Sequence, residues 1–360
     1  MKELNLKSLS QIIFIRGKFS EFDRINIYAN SFKKNSVLRI VFKFALWALR
    51  DNGELNIYDE PHKTYGFINN KIEFWQVRNE LFKSLSDSIK LIKIDEAIGF
   101  IKLKKIKAYK KNSGITYGII LGSGQEELKK AKLSIDSIYD TVNGYNNFEI
   151  IIIGSDLKCP EIFNNKINLK YYFLDVFENG RILTSKKKNK IFHLAKFNLV
   201  TIFHSRIIFT KNYHSLILSK NIEFATPKVN FISQQKKYRY LDFGLLKSYE
   251  ILNKKNIGRV VSGPYINDQY WYLLKNKVQY IDGGINILNK DLLKYKNIYN
   301  DNIAWGEAED LELSKKIHSE GFLIDFLFDV ECKSSTNKLK LNESRAKFLL
   351  KKCYYAIFKI

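Results

Sequence analysis

Two short runs late in the chain carry the residue types with the most specific chemistry: Asp282-Gly283-Gly284 and, further on, Trp305-Gly306-Glu307-Ala308-Glu309-Asp310. Two residues without a Cβ directly after the strand-like Val278-Gln279-Tyr280-Ile281 suit a turn where backbone must come close to a ligand. The second run opens a predicted helix reaching to about Ser319, with Lys315 and Lys316 in its last turn and Gly321 just beyond. Carboxylates at a helix start are favoured by the macrodipole, which is one sufficient reason for Glu307, Glu309 and Asp310. Trp305 asks for another. Flanked by Ala304 and Gly306 and set beside three carboxylates, it offers an apolar face on which a sugar ring can stack.

Upstream, three turns follow three apolar runs: Gly122-Ser123-Gly124 after 116–121, Gly154-Ser155-Asp156 after 148–153, and His204-Ser205-Arg206 after 199–203. Short apolar runs of this kind are strands buried on both faces of a parallel sheet. Between the first two, 125–139 has helical spacing at Leu128, Ala131, Leu133, Ile135 and Ile138, and 169–174 reads as a further strand. Strands alternating with helices imply a doubly wound, mostly parallel sheet, whose ligands collect beyond the carboxyl ends of the strands. All three turns fall there, where a nucleotide would dock. The lysine run Lys186-Lys187-Lys188 reads as a solvated face or loop.

A smaller α/β unit precedes this sheet. It comprises a strand at 22–28, a helix at 38–50 stopped by Asp51-Asn52-Gly53, a strand at 54–58, a helix at 74–85 and two short strands at 89–94 and 98–103. The Lys-rich 104–114 is the expected linker, so the chain divides into 1–110, 111–335 and a basic amphipathic helix over 336–360. That last helix suits an anionic membrane surface, and equally a terminal helix packing Phe348, Leu349 and Tyr355 on the core.

Over about 114–335 the order of these features resembles the inverting glycosyltransferases of family 2, which have the GT-A fold. The resemblance implies that the first two turns, with Ser123 and Asp156, hold the base and ribose of a nucleotide-sugar donor, and that Lys188 and Asn189 are the Lys-Asn pair upstream of the next strand. It places His204-Ser205-Arg206 where an Asp-x-Asp motif would chelate a divalent cation, Mg or Mn, against the diphosphate. This triplet is similar to a minority His-Asp-Arg version with Ser205 at its middle position; it leaves His204 as the candidate metal ligand and Arg206 as a fixed guanidinium able to meet phosphate oxygens without a metal. Many relatives carry a His where this chain has Glu331 and Cys332.

In the same family the Asp of the Glu-Asp pair is the general base, here Asp310. Glu309 then binds acceptor hydroxyls, with Gly283, Gly284 and Trp305 completing the acceptor side. The implied acceptor is a glycan or lipid-linked precursor in bacterial surface polysaccharide synthesis. The missing Asp-x-Asp acids keep open a catalytically inactive binding or scaffold protein. Residues 20–108 resemble the second half of a class I methyltransferase, where a helix ending in Asn52-Gly53 leads into Glu54-Leu55-Asn56-Ile57; with no Gly-rich cofactor turn before it, the unit reads as a remnant or interaction module.

With 360 residues, 45% of them apolar, the chain has ample core for such an arrangement. Three separated cysteines exclude a disulfide framework and a structural zinc site. No apolar leader or spanning run is evident, so a cytoplasmic protein is expected, peripheral at the inner face of the cell membrane if the basic tail binds lipid. The net charge of +23 suits a polyanionic partner, but the lysines are scattered and no nucleic-acid module is present, so nucleic acid is not the expected partner.

Overall fold

A computed structural model of the chain describes residues 1–32, 35–59, 74–85, 89–107, 112–158, 160–178, 181–233, 236–239, 243–246, 261–262, 278–281, 283–293, 297–304 and 307–336. Asp282, Trp305, Gly306, Cys159, Cys353 and the basic segment from 338 onward lie outside them.

The first unit runs β1 (Glu3–Leu6), α1 (Leu9–Ile15), β2 (Phe22–Tyr28), α2 (Asn35–Ala48), β3 (Leu49–Tyr58), α3 (Phe74–Ser84), β4 (Ile89–Asp95) and β5 (Phe100–Lys105). Its sheet has the order β1-β2-β3-β5-β4: the first three strands are parallel, and β4 and β5 close it as an antiparallel hairpin. Helix α2 forms because apolar residues cover most of its surface, and it is buried almost throughout. β1 and α1 are too short to show a periodicity in sequence. Lys105, expected in a linker, is buried at the end of β5, where its ammonium donates to the carbonyls of Leu46 and Leu49, both at 2.6 Å. It thus satisfies backbone oxygens that the end of α2 leaves open.

The second unit continues with β6 (Ile115–Ile120), α4 (Gln125–Thr141), β7 (Phe148–Gly154), β8 (Leu169–Phe173), the hairpin β9 (Phe177–Glu178) and β10 (Arg181–Ile182), α5 (Thr184–Leu194), β11 (Leu199–His204), β12 (Ile207–Phe209) and α6 (Tyr213–Leu218). Then come β13 (Phe224–Ser233), β14 (Lys236–Arg239), β15 (Phe243–Leu246), β16 (Val261–Ser262), β17 (Val278–Ile281), β18 (Ile285–Asn289), α7 (Glu309–Ser319) and β19 (Ile324–Ser334). The main sheet is ordered β12-β19-β13-β18-β11-β6-β7-β8, with β14 paired to β13. β11, β6, β7 and β8 are mutually parallel, and β13 is parallel to β19; β18 and β12 run against their neighbours. This is the expected α/β class, a doubly wound and mostly parallel sheet. The helix expected from Trp305 begins at Glu309, because Ala308 takes a left-handed conformation with φ 62° and ψ 47°.

The two units share one core. Leu6, Ile15 and Phe42 belong to the same apolar cluster as Val200, Phe224 and Phe326. Ion pairs seal the seam: Arg16 to Asp325 at 2.8 Å, and Lys43 to Glu223 at 2.9 Å, all four side chains nearly without solvent contact. Glu223 also accepts from the Leu323 N–H at 2.6 Å. At the far end of α7, Arg39 pairs with Glu80 at 3.1 Å and donates to the His318 carbonyl at 2.9 Å. Burial, with the cations of Arg39 and Lys83 nearby, pushes the His318 ring down to about 4, so it stays neutral. Gly321 ends the helix with φ +85°, and a Cβ there would lie 1.9 Å from the Lys83 carbonyl oxygen, so only glycine lets the two units meet at this point.

Replacing Lys43 with Met leaves the Glu223 carboxylate buried beside an apolar side chain. The expected loss is about 3–5 kcal/mol of folding stability in a urea titration. Because the core is continuous, both units are expected to unfold in one transition; two separated transitions in the wild-type chain would refute this.

Candidate functional site

The strand order steps from β6 to β7 to β8 in one direction and then places β11 on the other side of β6. At such a reversal the two flanking connections leave in opposite directions, and a crevice opens at the carboxyl ends of the strands. Ile120 and His204 are paired across it, so Leu121 and Ser205 are the first residues past the sheet. Ser123 is exposed in the turn leading to α4. Asp156 is half-buried after β7, its carbonyl accepting from the Tyr171 hydroxyl at 2.7 Å.

Helix α5 brings the lysine run to this crevice, and here the sequence reading needs correction. Lys187 is 2% exposed and Lys188 0% exposed. They sit one turn before Ile191 and Phe192 on the buried face, so these two lysines face the core, while Lys186 is half-exposed and pairs with Glu178. The Lys187 ammonium donates to the Leu121 carbonyl and to Ser155 Oγ, both at 2.7 Å, tying the ends of β6 and β7 together. Burial lowers its pKa to about 8, against the opposing pull of Asp156 and Asp175. Lys188 reaches the other side of the crevice, where its ammonium meets Glu309 Oε1 at 3.0 Å and lies 4.9 Å from the Tyr299 ring centroid. Asn189 turns to the loop before α7: its amide donates to the Tyr299 carbonyl (2.8 Å) and Asp301 Oδ1 (2.7 Å) and accepts from the Tyr299 N–H (2.9 Å).

At the end of β11, the half-buried His204 donates its backbone N–H to the Gly284 carbonyl at 3.2 Å. Ser205, 2% exposed, faces inward and donates to Glu127 Oε2 at 2.5 Å. Glu127, on the first turn of α4, also accepts from Lys130 at 2.9 Å. Burial pushes its carboxyl up, but the bonds from Ser205 and Lys130 and the charges of Lys130 and Arg206 outweigh this and hold it below the usual carboxylate range. Thus α4 supplies in space the carboxylate that the triplet lacks in sequence, and it is engaged by a hydroxyl and an ammonium. A divalent cation of the Mg or Mn kind needs several oxygen ligands. Among the described residues no cluster of three His, Cys, Asp or Glu side chains could supply a metal site, and the turn at His204 does not fit one. Cys332, on β19, is fully buried in the apolar cluster that contains Ile207, Phe209, Val229 and Val330.

The residues expected on the acceptor side, Gly283, Glu309 and Asp310, converge. A Cβ on Gly283 would stand 3.1 Å from Lys188 Nζ and 3.2 Å from Glu309 Oε1, so the turn can lie this close only without a side chain. The Gly283 N–H donates to Asp310 Oδ2 at 2.9 Å, the Tyr280 hydroxyl reaches the same oxygen at 3.4 Å, and the Leu311 N–H donates to Oδ1 at 2.9 Å. Three donors thus fix the orientation of this carboxylate. Burial, together with the charges of Glu309 and Asp310, raises the Tyr299 phenol well above its ordinary value, so it stays protonated and donates to Asn286 Oδ1 at 2.8 Å. Arg181 on the β9–β10 hairpin pairs with Glu307 at 2.6 Å and so steadies the approach to α7.

The sequence matches no protein-family model and no curated protein. Among solved structures it is similar to GalNAc-T7 with UDP, GalNAc and Mn2+ (13% identity, 64% of this chain and 45% of that one, TM-score 0.45). It is similar also to S. aureus TarS (14%, 62% and 37%, 0.40) and to the mannosyltransferase PcManGT from Pyrobaculum calidifontis in complex with GDP-Man and Mn2+ (12%, 69% and 65%, 0.41). The chain spans less than two thirds of each of them, and overlaps this slight carry no site residue across.

Sequence reasoning missed Lys187, Glu127, Tyr280 and Tyr299. For Lys187 a signal existed, its four-residue spacing to Ile191; Glu127 and Tyr299 are brought in only by tertiary packing. Lys187 and Lys105 both have native pKa values of about 8, lowered by burial. Below that pH each carries the cost of a buried charge. Above it the native state releases these protons before the unfolded chain does, so stability rises between pH 8 and the ordinary lysine value. Denaturant midpoints measured from pH 7 to 10 should show this rise, reduced in Lys187→Met and removed in the Lys105→Met/Lys187→Met pair.

Proposed function

We propose that the chain is an inverting glycosyltransferase of GT-A type that moves a sugar from a nucleotide-sugar donor to a glycan or lipid-linked acceptor, with Asp310 as general base. The observation that supports it most is the carboxylate of Asp310, oriented by Gly283, Tyr280 and its own helix, at the edge of the switch-point crevice. An acceptor hydroxyl has a very high pKa, so its proton must pass to a carboxylate within hydrogen-bond reach as its oxygen attacks. That oxygen bonds to the anomeric carbon from the face opposite the leaving group while the bond to the diphosphate oxygen breaks. The anomeric centre inverts, and no covalent enzyme intermediate forms. Ser123 and Asp156 contact the nucleoside, Trp305 stacks on the acceptor sugar, and Gly284 keeps backbone close to it.

The negative charge that develops on the leaving diphosphate is met by Arg206, whose guanidinium can bond two phosphate oxygens at once. Lys187 adds charge at the base of the nucleoside turns. The net charge of +23 is compatible with work at an anionic membrane surface, and no helix among the described residues is long and apolar enough to cross a membrane.

Asp310→Asn is expected to lower turnover by about 10²–10⁴-fold while the dissociation constant for the nucleoside diphosphate stays within a factor of about two. Retained turnover would refute the assignment. The diphosphate to use is the one among uridine, guanosine, cytidine and thymidine diphosphates that raises the melting temperature. Turnover is expected to survive EDTA and to be lost in Arg206→Ala; complete loss in EDTA, reversed by Mn2+, would show instead that a cation carries the diphosphate charge. The second reading, a non-catalytic binding or scaffold protein, is favoured by the inward-facing Ser205 and the engaged Glu127. Failure of a broad nucleotide-sugar panel to be hydrolysed would select it.

A further inference from the structure

Lys188, the lysine of the expected Lys-Asn pair, has no solvent-exposed surface, and its charge is directed to Glu309. Its ammonium is bounded by the Glu309 carboxylate at 3.0 Å, the Tyr299 ring at 4.9 Å and the backbone of Gly283, where a Cβ would be 3.1 Å away. Glu309 is itself nearly buried, its side chain 11% exposed. Its chain neighbour Asp310 is bonded back to the Gly283 N–H. The three elements α5, the Gly283 turn and the start of α7 therefore close on one cation.

The geometry points to Lys188 as a positioning residue: it holds Glu309 ionised and in place, and through Glu309 and the Gly283 turn it sets the orientation of Asp310, without touching donor or acceptor. This rests on the reading of Asp310 as the base. A buried carboxylate stays charged only beside a compensating charge or strong donors. Among the described residues, the charged and titratable groups near Glu309 include Lys188 from α5, Tyr299 from the loop before α7, and Asp310 on its own helix, with Tyr280 of β17 beyond it. Lys188, fully buried and 3.0 Å from the carboxylate, places a compensating positive charge directly against it. Without it Glu309 takes up a proton at higher pH, and a neutral Glu309 no longer draws the start of α7 against the Gly283 turn.

The test compares the full-length wild type with Lys188→Met, Glu309→Gln and Lys188→Met/Glu309→Gln. With a nucleotide sugar that the wild type hydrolyses, Lys188→Met is expected to move the acid limb of the kcat profile upward by about one pH unit. It should lower kcat about tenfold or more at pH 6 and leave the donor KM within about twofold. A donor KM raised tenfold with an unmoved acid limb would mean that Lys188 binds the donor directly; an unmoved limb with unmoved KM would reduce it to a structural residue. Either result overturns the inference.

A second measurement needs no turnover. In Lys188→Met the native Glu309 binds its proton more tightly than the unfolded chain does, so the melting temperature should fall from pH 4 to pH 7 relative to wild type, and Glu309→Gln added to it should remove the fall. A parallel pH dependence in wild type and Lys188→Met overturns the inference. If the wild type hydrolyses no donor, the glycosyltransferase reading fails, while the melting comparison still decides whether Lys188 keeps Glu309 charged.

Discussion

An ammonium group removed from water must find oxygen partners, and α5 removes two in succession. Lys187 and Lys188 point about 100° apart, as consecutive helical residues do, so their partners lie on different elements. One finds the carbonyl at the end of β6 and the hydroxyl after β7; the other finds the carboxylate at the start of α7. The helix can sit in its place on the sheet only if all three elements present those oxygens. The same requirement that keeps α5 folded therefore fixes the separation between the turns after β6 and β7 and the carboxylates across the crevice.

A comparable constraint operates at the seam between the two units. Lys43 and Arg16 reach into the second unit for Glu223 and Asp325, whose carboxylates are close to the strand starts of β13 and β19. These pairs lie at the end of the main sheet opposite the crevice. The first unit thus supports the sheet at the end away from the crevice. Its strands and helices were read from apolar spacing, which gave no hint of this role, because charge partners more than a hundred residues apart leave no local pattern.

Where the chain repeats a period, it was legible. β6, β7, β8 and β11, α4 and the strand, helix, strand core of the first unit follow from apolar runs and spacings of three and four, whereas β13 and β19 were not anticipated. β1 and the β9–β10 hairpin, at four and two residues per strand, are too short to repeat anything. Asp310, Glu309 and Gly283 were singled out by type and spacing, and packing brings them together. The amide of Asn189, the partner of Lys188 in the expected pair, secures the loop at Tyr299. The lysine run misled because composition alone assigns lysine to water, and only the apolar residues one turn later reveal the buried face. Glu127 shows the converse case: an acid missing from one turn in sequence is delivered by another in space.

Helix α7 carries Asp310 at its first turn and ends at His318 and Gly321 against Arg39 and Lys83 of the first unit. Eleven residues make it a rod of about 16 Å, stiff on the scale of the site it serves. One end lies at the crevice and the other against helices α2 and α3 of the first unit. A displacement at the seam would therefore reach the carboxylate as a tilt of the whole rod, which gives the first unit mechanical leverage along the length of the helix.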